Sequence, residues 1–139
     1  MPPSSPRVLV VDDHCDVADF LSEALAFHGM DARPVYGGAE ALQLAREFRP
    51  DALLLDLCMM NIDGFDVAAA MRRSADCPYL VALSAWDDPA TRVRAMAAGF
   101  DAHLRKPSGI DTIVATLQGM HAARARRSAA QQLSRFQGR

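Results

Sequence analysis

Along this chain, short apolar runs alternate with longer stretches in which apolar residues recur every three or four positions. Val8 to Val11, Ala32 to Tyr36, Pro78 to Leu83 and Phe100 to Leu104 are runs of strand length, and 51–57 is another, with leucine at four of its positions. Between and after them the spacing is helical. Val17, Phe20, Leu21, Ala24, Leu25 and Phe27 mark a helix that begins near Asp16 and is closed by Gly29. A second, Ala39 to Phe48, is entered through Gly37-Gly38 and stopped by Pro50. Val67 to Arg73, rich in alanine, follows a loop at Asn61-Ile62-Asp63-Gly64 and reads as a third. A fourth starts at Asp88-Pro89, with Asp as N-cap and Pro in the first turn, and ends at Gly99. Ile110, Ile113, Val114, Leu117 and Met120 form the apolar stripe of a fifth.

Strands that alternate with helices in this way predict an α/β fold, a parallel sheet covered by helices on both faces through right-handed crossovers. Pro34 lacks a ladder donor, so the second strand belongs at an edge. The doubly wound, flavodoxin-like order 2-1-3-4-5 of a five-stranded sheet meets that condition. It also sets the ends of the first and third strands side by side, at the switch point where such sheets bind ligands. Asp51-Ala52-Leu53-Leu54-Leu55-Asp56-Leu57 suits a strand buried on both faces, and no water reaches a carboxylate inside one. Asp56 is therefore expected at the C-terminal edge of the sheet or beside cations. Asp12 and Asp13, which close the first strand, would meet it there.

Length and composition narrow the class. The 139 residues, half of them hydrophobic and with no long apolar run, fit one soluble domain of normal core and leave no candidate membrane span. Residues 1–6 lack the apolar centre of a secretory signal and read as a disordered lead-in. Cys15, Cys58 and Cys77 fit no metal-ligand spacing and accompany no export signal, so reduced thiols of a cytoplasmic protein are expected. Five of the 15 basic residues and none of the 17 acids lie beyond Gly119. The body is thus acidic, and the tail, 122–139, is basic and either helical or disordered. It is either a solvated extension or a contact for nucleic acid or an acidic partner. Nucleic acid is not an expected partner of the domain itself.

Three carboxylates at one sheet edge repel one another, and a hard divalent cation relieves this. Mg2+ takes oxygen ligands and needs only a carboxylate or two from protein. The plainer alternative for Asp12 and Asp13 is a favourable place at a helix N-terminus. Lys106 is the single lysine in a chain otherwise supplied with arginine, which suggests a position that wants a compact ammonium. It follows the last strand, near the expected place of Asp56, and Pro107 fits a rigid turn able to hold a cis bond. A structural lysine flanking a turn is the other reading. Ser84, which ends the fourth strand, can donate to a phosphoryl oxygen or can cap a turn. Together these groups would cradle a tetrahedral anion with its cation.

At this point the chain, from about Arg7 to about Met120, resembles the receiver domains of two-component response regulators. The residues that carry the likeness are Asp12-Asp13, Leu53-Leu54-Leu55-Asp56, Asp63-Gly64, Ser84-Ala85 and Lys106-Pro107. The resemblance implies a receiver domain over 7–121 in which Asp56 is the phosphoacceptor. It implies Mg2+ held directly by Asp13 and Asp56, through water by Asp12, and by the carbonyl of Cys58. Ser84 and Lys106 would hold the phosphoryl oxygens. Phosphorylation would draw Ser84 inward and change the surface around the fourth helix and fifth strand. Two positions depart from the family pattern. Met60 stands where proline is common, and His103 holds the switch position usually filled by tyrosine or phenylalanine. His103 either switches or is an exposed histidine with no such role. Trp86, two residues past Ser84, is expected at the pocket rim, where an indole would keep water from an acyl phosphate. The alternative lays it along the fourth helix.

The expected function is a phosphorylation-dependent signalling switch of the stand-alone, chemotaxis type. It would not be an enzyme beyond its own phosphorylation and slow dephosphorylation. Partners would be a sensor histidine kinase or histidine phosphotransfer protein and a downstream protein target, with the chain a monomer or a weak phosphorylation-dependent dimer. Two readings compete. A phosphatase with an aspartate nucleophile would also use Mg2+ and an acyl phosphate, but Asp12-Asp13 lacks its DxD spacing. A receiver-like interaction module that is never phosphorylated would not need the intact set of Asp13, Asp56, Ser84 and Lys106.

Overall fold

The computed structural model describes residues 5–59, 63–74, 76–85, 89–120 and 126. Met60, Asn61, Ile62, Trp86, the proposed cap Asp88, the first four residues and the tail apart from Arg126 lie outside them.

Five strands form one parallel sheet: β1 (Arg7–Val11), β2 (Asp31–Val35), β3 (Ala52–Asp56), β4 (Tyr79–Ser84) and β5 (Ala102–Arg105). Their order is β2-β1-β3-β4-β5, as the edge position of Pro34 predicts. Helices α1 (Cys15–Phe27), α2 (Gly38–Phe48), α3 (Gly64–Arg72), α4 (Pro89–Ala98) and α5 (Ile110–Gln118) connect or follow the strands. β3 and β4 are buried at every position, whereas β2 alternates, which separates central from edge strands as their sequences do.

Side-chain alternation along the strands divides the core in two. Val8, Val10, Leu54, Val81 and Leu83 face Leu21 and Leu25 of α1 and Ile113, Val114 and Leu117 of α5. Leu9, Val11, Leu53, Leu55, Leu80 and Ala82 face α2, α3 and α4 through Ala41, Val67, Ala68, Met71 and Ala95. Each leucine buried here contributes roughly 1.5–3 kcal/mol of transfer free energy.

The inner face of α1 differs from the sequence expectation. Ala18, Leu21, Ser22 and Leu25 are buried, while Val17, Phe20 and Phe27 are 37%, 67% and 91% exposed. Successive residues turn by about 100° around a helix, so both sets form plausible stripes. Helix ends are better signalled. Gly29, at φ 85°, and Gly99, at φ 102°, follow α1 and α4 in the left-handed region. The amide of Met30 bonds the carbonyl of Leu25, and that of Phe100 bonds Ala95, which closes both helices in Schellman fashion.

Two boundaries move by more than one residue. α3 begins at Gly64 rather than Val67, because the Asp63 side chain accepts the Asp66 amide and caps it. β5 begins at Ala102 rather than Phe100, because Phe100 belongs to the turn that closes α4.

Candidate functional site

The site lies at the C-terminal edge of the sheet. β1 leads into Asp12, whose amide bonds the Val35 carbonyl at 3.0 Å, and β3 ends on Asp56 in register with Leu83. Ser84 closes β4 between them and the segment after β5, where the Lys106 amide bonds the Ser84 carbonyl at 2.7 Å. The four elements are joined by backbone ladders, so their ends are fixed relative to one another.

Lys106 Nζ lies 2.6 Å from Asp12 Oδ2 and 3.3 Å from Asp56 Oδ2. Asp12, Asp56 and Ser84 are buried, each at most 4% exposed. The Cys58 amide donates to Asp56 Oδ1 at 3.1 Å, and the His14 amide donates to Asp12 Oδ1 at 2.9 Å. His14 Nδ1 sits 3.2 Å from Asp12 Oδ1 and 3.3 Å from Asp13 Oδ1. Asp12, Asp13, His14 and Asp56 each bring a potential ligand atom within 4.8 Å of the others. Three carboxylates so placed suit a hard divalent cation.

The two buried acids are not equivalent. Burial acts to raise the Asp12 pKa, but the Lys106 ammonium and the His14 amide and ring outweigh it and hold Asp12 below the usual carboxylate range. For Asp56 burial, reinforced by the Asp12 charge, outweighs the Cys58 amide and Lys106, and its pKa is raised. Burial likewise opposes the Lys106 ammonium, and the hydrogen bond and charges of Asp12 and Asp56 outweigh it, so Lys106 is held protonated.

Close backbone packing supports the Asp56 end of β3. A Cβ on Gly64 would lie 2.5 Å from the Asp56 carbonyl oxygen and 3.0 Å from the Leu57 Cα. Only glycine lets the start of α3 approach there, which gives the Asp63-Gly64 pair its physical meaning. The Lys106-Pro107 bond is cis.

The structure thus brings together Asp12, Asp13, Asp56 and Lys106, with Ser84 on the intervening strand end. Cys58 is exposed and meets Asp56 through its amide. His103 stands on β5 opposite Ala82, half-buried and two strands from Asp56. Trp86 lies outside the described residues. His14 is the residue that sequence reasoning passed over; its one signal is that it directly follows the acidic pair.

Residues 8–118 match the family model of the response regulator receiver domain. Response regulator MprA of Mycobacterium ulcerans (strain Agy99) is 35% identical over 116 residues, which cover 84% of this chain and 50% of that protein. Its counterpart in Mycobacterium avium (strain 104) is 35% identical over 114 residues, covering 82% and 50%. The chain spans about half the length of these curated relatives. Among solved structures, the Francisella response regulator 1452 receiver domain is similar at a TM-score of 0.80 and 27% identity, covering 86% of this chain and 98% of that one. The Vibrio cholerae chemotaxis protein CheY4 is similar at a TM-score of 0.80 and 27% identity, covering 84% and 98%. With its sheet order, its acidic edge and these likenesses in agreement, this chain belongs to the response regulator receiver domain family.

Proposed function

We propose that the chain is a phosphorylation-dependent switch in which Asp56 takes a phosphoryl group from a phosphohistidine. Receiver domains act as phosphoacceptors, bind Mg2+ at an acidic pocket and interact with histidine kinases and downstream effectors. The observation that carries the reading here is the Lys106 ammonium set on both Asp12 and Asp56 within a buried acidic cluster.

In this reading an Asp56 oxygen attacks phosphorus in line while the bond to the donor imidazole nitrogen breaks, leaving an acyl phosphate. A raised pKa makes that oxygen a more basic nucleophile. Lys106 and the Ser84 hydroxyl receive the phosphoryl oxygens, so little reorganisation accompanies transfer. Asp13, Asp56 and the Cys58 carbonyl would hold Mg2+, with Asp12 reaching it through water. When bound, the cation offsets charge on the oxygens of the group in transit.

Residues 7–121 would form the switching unit, with 1–6 and 122–139 outside it. Phosphorylation would draw Ser84 inward and alter the surface of α4 and β5, with His103 on that path. The described residues hold no helix long and apolar enough to cross a membrane. In this reading the protein would act in the cytoplasm on a downstream protein, alone or as a weak phosphorylation-dependent dimer, with no catalytic turnover of another substrate.

Incubation with a small phosphodonor and Mg2+, followed by intact mass measurement, tests the assignment. One phosphoryl group is expected on the parent, none on Asp56→Asn and none without a divalent cation. Labelling that persists in either control would sink it.

A further inference from the structure

We infer that His14 supplies a nitrogen ligand to the cation of the Asp12, Asp13 and Asp56 cluster, so that this site favours a transition ion such as Mn2+ over Mg2+. The inference rests on the reading of that acidic cluster as a cation site, and it adds a residue and a selectivity that the reading does not contain.

The geometry separates the cluster into two sides. Lys106 takes the Oδ2 atoms of Asp12 and Asp56, on the side where a phosphoryl group would arrive. His14 Nδ1 takes the Oδ1 atoms of Asp12 and Asp13, at 3.2 Å and 3.3 Å. All four ligand-capable groups fall within 4.8 Å. Opposite ligands around one ion with bonds of about 2.1–2.3 Å stand about 4.2–4.6 Å apart, so closing the set needs a shift of only a few tenths of an ångström.

His14 is placed there by its backbone rather than by packing. It is the N-cap residue of α1, in extended conformation at φ -81° and ψ 99°, and its side chain makes no capping bond. Its amide is fixed on Asp12 Oδ1. The side chain is 73% exposed, yet it turns back onto two carboxylates. Asp12 Oδ1 accepts the amide of the same residue whose ring it faces, which fixes where the imidazole can reach.

The chemistry then decides the ion. Mg2+ demands oxygen ligands and keeps its waters, and it gains little from an imidazole. Imidazole binds first-row transition ions in preference to Mg2+, and Mn2+, the weakest binder of that row, still accepts a nitrogen beside carboxylates. A carboxylate cluster extended by one nitrogen therefore gains more for Mn2+ than for Mg2+. The rival role is charge pairing, in which a protonated ring neutralises the two acids and competes with any cation. That role predicts the opposite change on removal of the ring.

Calorimetric titration of the full chain with MnCl2 and with MgCl2, together with pulsed electron paramagnetic resonance of the Mn2+ form, separates these. His14→Ala is expected to weaken Mn2+ binding about tenfold and leave Mg2+ within about twofold, with loss of the nitrogen modulation seen in the parent. Its side chain is largely exposed, so the variant should fold. Unchanged affinity for both ions, equal loss for both, a gain for both, or a parent spectrum without nitrogen modulation would each overturn the role of His14. Asp13→Asn identifies which idea has failed. If it weakens both ions while His14→Ala weakens neither, the cation site stands and the His14 ligand falls. If it weakens neither, the acidic cluster is not the cation site and this inference falls with it.

Discussion

Asp101 and Asp56 stand at opposite ends of the same sheet and are treated in opposite ways. Asp101 precedes β5. Its carboxylate accepts the Leu80 amide at 2.8 Å and an Arg72 nitrogen at 3.1 Å, while Arg72 Nε donates to the Gly99 carbonyl at 2.6 Å. Each strong group there meets one of matching sign and shape, and the planar fork of arginine makes the match possible. Asp56 faces a second buried acid, a third nearby and one ammonium shared between two of them. Matched charge ties loops together, whereas unmatched charge of one sign is a standing demand for a ligand. The chain spends arginine on the first and its single lysine on the second.

The largest effect on stability is therefore expected at the matched end. Arg72→Ala should lower unfolding free energy in urea by about 3 kcal/mol, since it takes the guanidinium from the Asp101 carboxylate and the side-chain donors from the Gly99 carbonyl in a partly buried setting. Arg72→Lys should restore less than half of that, because a compact ammonium lacks the planar fork that sets two nitrogens on the Gly99 carbonyl and one on Asp101. A loss under about 1 kcal/mol for Arg72→Ala would show the clamp to be incidental and erase the contrast.

Next in size is the glycine on which the Asp56 end of β3 leans. Gly64→Ala forces a Cβ against the backbone of Asp56 and Leu57, at a cost of about 1–3 kcal/mol, and should slow phosphoryl labelling of Asp56 by displacing it. Gly29→Ala, where nothing stands within 4 Å and only the φ of 85° is unfavourable, should cost about 1 kcal/mol and leave labelling rate unchanged. Equal labelling in the two variants would mean that the loop after β3 tolerates the shift.

The sequence carried the layout of the sheet because its central strands are uninterrupted apolar runs and Pro34 marks an edge. From strand order alone, Asp12, Asp13, Asp56 and Lys106 had to converge. What it did not carry depends on three-dimensional detail. The exposure of Phe20 and Phe27 follows from which face of α1 turns to the sheet, and helical spacing admits either stripe. The start of α3 was obscured because Gly64 looks like a helix breaker until its contact with the Asp56 carbonyl is known. The pairing of Arg72 with Asp101 spans 29 positions and leaves no local trace. His14 escaped notice because ring orientation, not residue type, puts it on the acids.

The smallest effect is also the sharpest test of the contrast, because it reverses sign between two acids that share one lysine. The Asp56 pKa is raised above its unfolded value of 3.8, so ionising it costs the folded state stability as pH rises through the window above 3.8. Asp56→Asn removes that cost. It should be more stable than the parent at pH 7 and lose the advantage near pH 3, where the parent carboxyl is protonated in both states. Asp12 is lowered, so its ionised form contributes stability that is present above 3.8 and lost as pH falls through the folded value. Asp12→Asn should therefore be less stable than the parent at pH 7, with the deficit closing on acidification. Urea unfolding at several pH values without divalent cation measures both, and either change should be smaller than the Arg72→Ala loss. Relief of repulsion in Asp56→Asn also lowers the demand on Lys106, which then serves Asp12 alone. If Asp56→Asn proved less stable than the parent at pH 7, Asp56 would be a matched structural acid like Asp101, and the two ends of the sheet would no longer differ.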